Sequence, residues 1–130
     1  MITLIVAARK KAGMSRKEFE DHWLNRHAPL VLSVPEFASY LRKYALYPYA
    51  EGADVPGLGA LPGYDGIGEL WFDSVEAMME AFSEPKYLEI IRPDEELFLD
   101  RDACLTFVTE ERIFKAGDSP EGARPMAGTT

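Results

Sequence analysis

Ile2 to Arg9 opens the chain as a short, β-branched-rich run, halted by Arg9-Lys10-Lys11 and Gly13, and predicts a first strand. Ser15-Arg16-Lys17-Glu18 has the form of a capping box, with a hydroxyl for the open amides and a carboxylate reaching back. Behind it Phe19, Trp23 and Leu30 recur at near-helical spacing, while Lys17, Glu20 and Asp21 lie off that stripe, so one helix face is expected to pack on a sheet. Pro29 is expected to end or kink this helix just after His27. Phe37 to Tyr47 is aromatic and imperfectly alternating, which predicts a second strand.

Pro48 to Gly63 holds four glycines and three prolines in sixteen residues and has no period. It reads as a long loop of the kind that forms functional flaps. Tyr64 to Phe72 is the third expected strand, and Asp73-Ser74-Val75-Glu76 a second capping signal. Val75, Met78, Met79 and Phe82 follow at i, i+3, i+4 and i+7, the face of a second helix. Tyr87, Ile90 and Ile91 share a side in a turn closed by Pro93, and Asp94 to Leu99 suits one more helical turn. Ala103 to Phe114 is the last expected strand, so residues 1–114 form one domain and residues 115–130 a flexible, apolar-poor tail.

The resulting order, β-α-β-β-α-β, is the ferredoxin-like α+β arrangement: a four-stranded antiparallel sheet with both helices on one face. The strands carry apolar side chains on both sides, Leu4 and Val6 against Ile5 and Ala7, Ile67 and Trp71 against Leu70 and Phe72. One chain cannot cover both faces, so a homodimer packed sheet to sheet is expected.

Composition narrows the partners. Fourteen Lys and Arg against 22 Asp and Glu leave a formal charge of −8, which repels phosphate backbones and anionic lipid, so neither nucleic acid nor a membrane is an expected partner. No apolar run approaches the ~20 residues of a membrane span, and the N-terminal apolar run precedes its charges, the reverse of a secretory signal. A cytoplasmic protein is expected. The one cysteine, Cys104, lies in an apolar run and reads as a buried, inert thiol.

His22 and His27 are the only histidines. On a 100°-per-residue wheel with Phe19 at zero they fall near about −60° and +80°, flanking the buried face, where either imidazole can serve as general acid or base at the mouth of a pocket. The bland alternatives are a carbonyl hydrogen bond or a helix-end charge. Five residues do not place both on one α-helical row and no third ligand is evident, so no metal site is expected. Asp65 and Glu69 share a strand face with Ile67 and Trp71 and are candidates to orient a histidine; otherwise Asp65 serves the start of the strand and Glu69 pairs with Arg42 or Arg9. Tyr40 and Tyr44, with Trp23 and Glu69, are the candidates to contact substrate, the phenols holding a carbonyl or phenolic oxygen. No Gly-rich phosphate loop or Ser-His-Asp order is present, and no cofactor is expected.

Three stretches together resemble the EthD family of the dimeric α/β-barrel superfamily: Ile2-Thr3-Leu4-Ile5-Val6 with Gly13-Met14-Ser15-Arg16-Lys17-Glu18-Phe19; His22-Trp23-Leu24-Asn25-Arg26-His27-Ala28-Pro29-Leu30; and Tyr64-Asp65-Gly66-Ile67-Gly68-Glu69-Leu70-Trp71-Phe72. The resemblance implies a ferredoxin-like subunit dimerised into a barrel, within a superfamily of small polyketide cyclases and dehydratases, isomerases, cofactor-free monooxygenases and haem-degrading enzymes. Three readings follow. The first is a cofactor-independent dehydratase, isomerase or cyclase acting on a small aromatic or polyketide-like molecule, with His27 as acid or base and Asp65 or His22 assisting. The second is a non-catalytic module binding an apolar small molecule, and the third a monooxygenase of the same superfamily.

Overall fold

Residues 1–52, 56 and 63–117 are described by the computed structural model. The elements run β1 (Ile2–Ala8), α1 (Arg16–His22), a π-helical turn (Trp23–His27), α2 (Ala28–Leu32), α3 (Pro35–Ala38), β2 (Lys43–Pro48) and β3 (Gly66–Phe72). They continue with α4 (Val75–Ser83), a second π-helical turn (Tyr87–Ile91), α5 (Arg92–Phe98), a 3₁₀ turn (Arg101–Ala103) and β4 (Leu105–Glu110). The sheet order is β2-β3-β1-β4 and every pairing is antiparallel. This is the expected ferredoxin-like α+β architecture with its helices on one face.

Both capping signals act as read. Ser15 Oγ accepts from Glu18 N while Glu18 Oε1 accepts from Ser15 N, a full capping box. Ser74 Oγ takes the amide of Ala77 at the start of α4. Gly13 supplies the left-handed conformation (φ 85°) that turns the chain from β1 into α1.

Three expectations change. Phe37 to Tyr47 is not one strand: Pro35–Ala38 is a helical turn that buries Phe37 completely, and β2 starts only at Lys43. Proline at the first turn favours that helix, and Phe37 gains more as a core side chain than as a strand residue. Pro29 does not end the first helix, which continues as α2 to Leu32, and Pro93 likewise sits inside a helix that runs on to Phe98. In each case a π-helical turn ends two residues before the proline. The wider turn takes up what proline imposes, a missing N–H and a ring pressed on the carbonyl four residues back. The last strand is shorter than Ala103 to Phe114, because the 3₁₀ turn takes its start and pairing with β1 stops at Glu110. Most of the expected flap at Pro48 to Gly63, and residues 118–130 of the expected tail, lie outside the described residues.

Two apolar clusters fill the space between sheet and helices. One joins Leu4 and Phe72 to Val31, Phe37, Tyr87 and Ile91; the other joins Ala8, Phe19, Trp23 and Phe98. Gly66 makes the second possible. A Cβ there would stand 2.6 Å from Trp23 Cζ3 and 2.9 Å from the Tyr47 carbonyl oxygen, so only glycine lets the indole lie on β3. No described helix lies on the opposite face of the sheet. Leu105 and Phe107 stand exposed there, and register places them beside Ala7 and Ile5.

Candidate functional site

His22 ends α1 and His27 ends the π-helical turn that follows. An uninterrupted α-helix would rotate residues five apart by about 140°. Here the Ala28 amide bonds the Trp23 carbonyl, an i→i+5 closure, and positions five apart come round to the same side. Both imidazoles consequently reach one carboxylate, that of Asp94 in the first turn of α5. His27 Nδ1 lies 2.8 Å from Asp94 Oδ2, and His22 Nε2 lies 3.0 and 3.1 Å from Oδ1 and Oδ2. All three groups are largely withdrawn from water, with side-chain exposures of 11%, 8% and 15% for His22, His27 and Asp94.

Phe98, fully buried one turn beyond Asp94, forms the apolar wall. Its ring stacks on His22 at 4.6 Å and lies tilted against His27 at 4.9 Å, which fixes both rings in plane and position. An ionised carboxylate only accepts hydrogen bonds, so the nitrogens facing it carry the protons. That leaves Nε2 of His27 as an acceptor in the neutral ring, with no hydrogen-bond partner among the described residues.

His27 also lines a cavity of about 300 Å³ between sheet and helices. Leu4, Val6, Leu46 and Leu70 form its floor, Trp23, Val31 and Ile91 its walls, and Tyr44, Tyr87, Glu95, Arg101 and Cys104 bring polar atoms to it. Glu95 is held from two sides: the Tyr87 hydroxyl donates to Oε2 at 2.7 Å and Arg101 Nε to Oε1 at 3.2 Å. The Tyr44 hydroxyl has no hydrogen-bond partner among the described residues. Burial, with the charge of Glu95 behind it, raises the Tyr44 phenol far above its ordinary range, and Tyr87 is raised by the same two causes. Both therefore stay neutral donors. Burial likewise raises the Cys104 thiol, whose sulfur takes the Arg9 amide at 3.5 Å.

The structure distributes the remaining candidates differently. Trp23 and Tyr44 line the cavity with His27, and His22 stands behind Asp94, outside the lining. Asp65 is buried but lies away from both histidines: Oδ2 accepts the Lys10 amide at 2.8 Å and Oδ1 meets Arg16 Nη2 at 3.4 Å. Glu69 points to the helix-free face, accepting the Tyr47 hydroxyl at 3.1 Å and Trp71 Nε1 at 3.3 Å. It pairs with neither Arg42 nor Arg9; Arg42 holds Asp73 and Arg9 the Gly63 carbonyl. Tyr40 packs against the first apolar cluster and does not line the cavity. Asp94, Glu95, Tyr87 and Arg101 were not singled out from the sequence. One signal existed, the shared spacing of Pro29 and Pro93 behind their apolar helical runs, which pairs the His27 turn with the turn before Asp94.

Comparisons with known proteins agree with this arrangement of elements. The chain is 26% identical over 106 residues to the conidial pigment biosynthesis dehydratase EthD of Metarhizium robertsii, covering 77% of this chain and 75% of that protein. It is also 26% identical over 106 residues to the dehydratase aurZ of Gibberella zeae, covering 77% and 70%. A dimeric protein of unknown function and ferredoxin-like fold from Bacteroides fragilis superposes with a TM-score of 0.61 at 11% identity, covering 85% of this chain and 95% of that one. No described helix is long and apolar enough to cross a membrane. The EthD domain matches residues 11–102, and the chain belongs to that family.

Proposed function

We propose that the chain is a dehydratase working by proton transfer, without a cofactor, on a small aromatic or polyketide-like ketone. The observation that carries this reading is His27, held by Asp94 through one ring nitrogen while its ring lines an apolar cavity. The two relatives named as dehydratases, one of them in pigment biosynthesis, support the reaction class over isomerisation or cyclisation.

A β-hydroxy ketone in the cavity gives the steps. His27 Nε2 takes the proton α to the carbonyl, and the electron pair moves onto the carbonyl oxygen as an enolate. The Tyr44 hydroxyl donates to that oxygen and stabilises its charge. As the pair returns to form the C=C bond, the β-hydroxyl leaves and takes the imidazolium proton, so one water is released and His27 is regenerated. Asp94 stabilises the imidazolium formed midway and fixes its tautomer, and His22 holds the far side of Asp94. Tyr44, a phenol raised by burial, suits hydrogen-bond donation better than proton transfer.

The reading is tested with 3-hydroxy-1-tetralone, which yields 1-naphthol when it loses water. His27→Gln should lower turnover by roughly 10²–10⁴ while binding of 1-tetralone persists. Full turnover in that variant would remove His27 from the chemistry.

We infer also that two chains pair through the helix-free face, where Leu105 and Phe107 are 55% and 65% exposed. The dimeric Bacteroides fragilis neighbour supports this. Sedimentation at micromolar concentration should give twice the 14.6 kDa chain mass, and a persistent monomer would exclude the pairing.

A further inference from the structure

The histidine–Asp94 group occupies one side of α5, and the next residue carries a second carboxylate to a different place. One helical step turns Glu95 by about 100° from Asp94, out of the histidine pocket and into the cavity lining. Its side chain is 15% exposed, and its carboxylate is fixed by Tyr87 at 2.7 Å and Arg101 at 3.2 Å. An ionised carboxylate offers about four acceptor positions. The two protein donors leave about half of them for a ligand in a cavity lined mainly by apolar side chains.

We propose that Glu95 is the specificity-determining residue of the cavity, accepting a hydrogen bond from a phenolic hydroxyl on a neutral aromatic ketone whose carbonyl is taken by Tyr44. This rests on the reading of the cavity as a ketone site. The Tyr44 hydroxyl is a donor without a protein partner among the described residues, and Glu95, a charged acceptor with open positions, lines the same cavity. A ligand satisfying both presents one acceptor and one donor: a ketone and a hydroxyl.

Charge decides against an anionic ligand. Among the described lining residues Arg101 is the one permanent cation, and Glu95 already neutralises it. A carboxylate or phosphate would have to displace Glu95 or lie against it. Tyr87 and Arg101 act as positioning residues: they hold the carboxylate in place before a ligand arrives, which reduces the ordering cost of binding.

Calorimetric titration with defined probes separates the possibilities. 6-Hydroxy-1-tetralone carries both groups, 1-tetralone lacks the phenol, and 6-hydroxy-2-naphthoate carries a negative charge. The native chain should bind 6-hydroxy-1-tetralone about tenfold or more tightly than 1-tetralone, the size expected of a hydrogen bond to a charged group. Glu95→Gln removes the charge and Glu95→Asp withdraws it by one methylene; in either variant the preference should fall below about twofold. Circular dichroism checks that each variant folds, and the aspartate variant decides should the glutamine variant fail to. An unchanged preference in a folded variant, tighter binding of the naphthoate, or no binding of either tetralone would overturn the proposal. The readout needs no turnover. Phenol selection without dehydration of 3-hydroxy-1-tetralone would keep this assignment and remove the dehydratase; dehydration without phenol selection would do the reverse.

Discussion

Asp65 and Asp94 both sit out of water, at 7% and 15% side-chain exposure, and each gives both oxygens to partners within the chain. Asp65 takes the Lys10 amide and the Arg16 guanidinium, while its own amide bonds the Ala8 carbonyl and its carbonyl accepts from Tyr49 N. It ties the end of β1 and the start of α1 to the approach to β3. Neither partner side can release a proton near neutral pH, because an amide does not ionise and a guanidinium does not deprotonate in a protein. Asp94 is surrounded instead by two imidazoles, groups that exchange protons in the physiological range. Burial and hydrogen bonding at both oxygens are common to both carboxylates, so neither property marks a site. The chemistry of the partners does, together with the cavity that one of them lines.

The sharpest way to break this contrast is to neutralise each aspartate in turn. Asp94→Asn keeps the shape but offers one acceptor oxygen and an amide donor to two ring nitrogens that both present N–H. One ring must turn or change tautomer, and turnover of 3-hydroxy-1-tetralone should fall by roughly 10²–10⁴ with the fold retained by circular dichroism. His22→Gln, which leaves the His27–Asp94 bond in place, should cost roughly tenfold or less. Equal losses in the two variants would mean that the histidines act as one unit; full activity in Asp94→Asn would erase the distinction between the two aspartates.

Asp65→Asn should show the opposite pattern. It leaves Arg16 without its buried counter-charge and weakens the Lys10 amide bond, a loss of roughly 1–3 kcal/mol in urea unfolding. Turnover of the folded enzyme should not change. A drop in turnover larger than the loss of folded protein would place Asp65 back in the chemistry.

What the sequence disclosed and what it concealed divide along the same line. The first and third strands and both capped helix starts follow from periodicity and caps, which are local. His22 and His27 stand out because only those two histidines exist and both border an apolar stripe. Their common partner was hidden by geometry: an α-helical wheel sends them apart, and only the π-helical turn ahead of Pro29 returns them to one side. Asp94 lies 67 residues from His27 in a run of acids behind Pro93 that reads as an ordinary favourable first turn of a helix. Asp65, by contrast, lies just before β3, and service at the start of that strand was one of the two readings that followed from the pattern. The identity of its partners did not, because Arg16 reaches it across 49 residues of chain.

Asp73 provides the exposed reference for both buried carboxylates, and the smallest effect. Arg42 grips it with Nε at 2.9 Å and Nη2 at 2.8 Å, but the side chains are 45% and 55% exposed. The hydrogen bonds from Arg42, then its charge, hold the Asp73 carboxyl below the ordinary value of 3.8 despite partial desolvation. A folded-state value lower than the unfolded one means that the pair stabilises the fold above the unfolded pKa and stops doing so as pH falls through the folded one. Asp73→Asn removes the charge at every pH. Its urea midpoint should therefore lie slightly below that of the native chain at about pH 7, and the difference should shrink below about pH 4 as the native Asp73 takes up its proton. High salt should shrink it too, since solvent and ions reach both partners. A difference that persisted unchanged into acid would show that the hydrogen-bond geometry of Arg42, rather than the charge on Asp73, supplies the stabilisation.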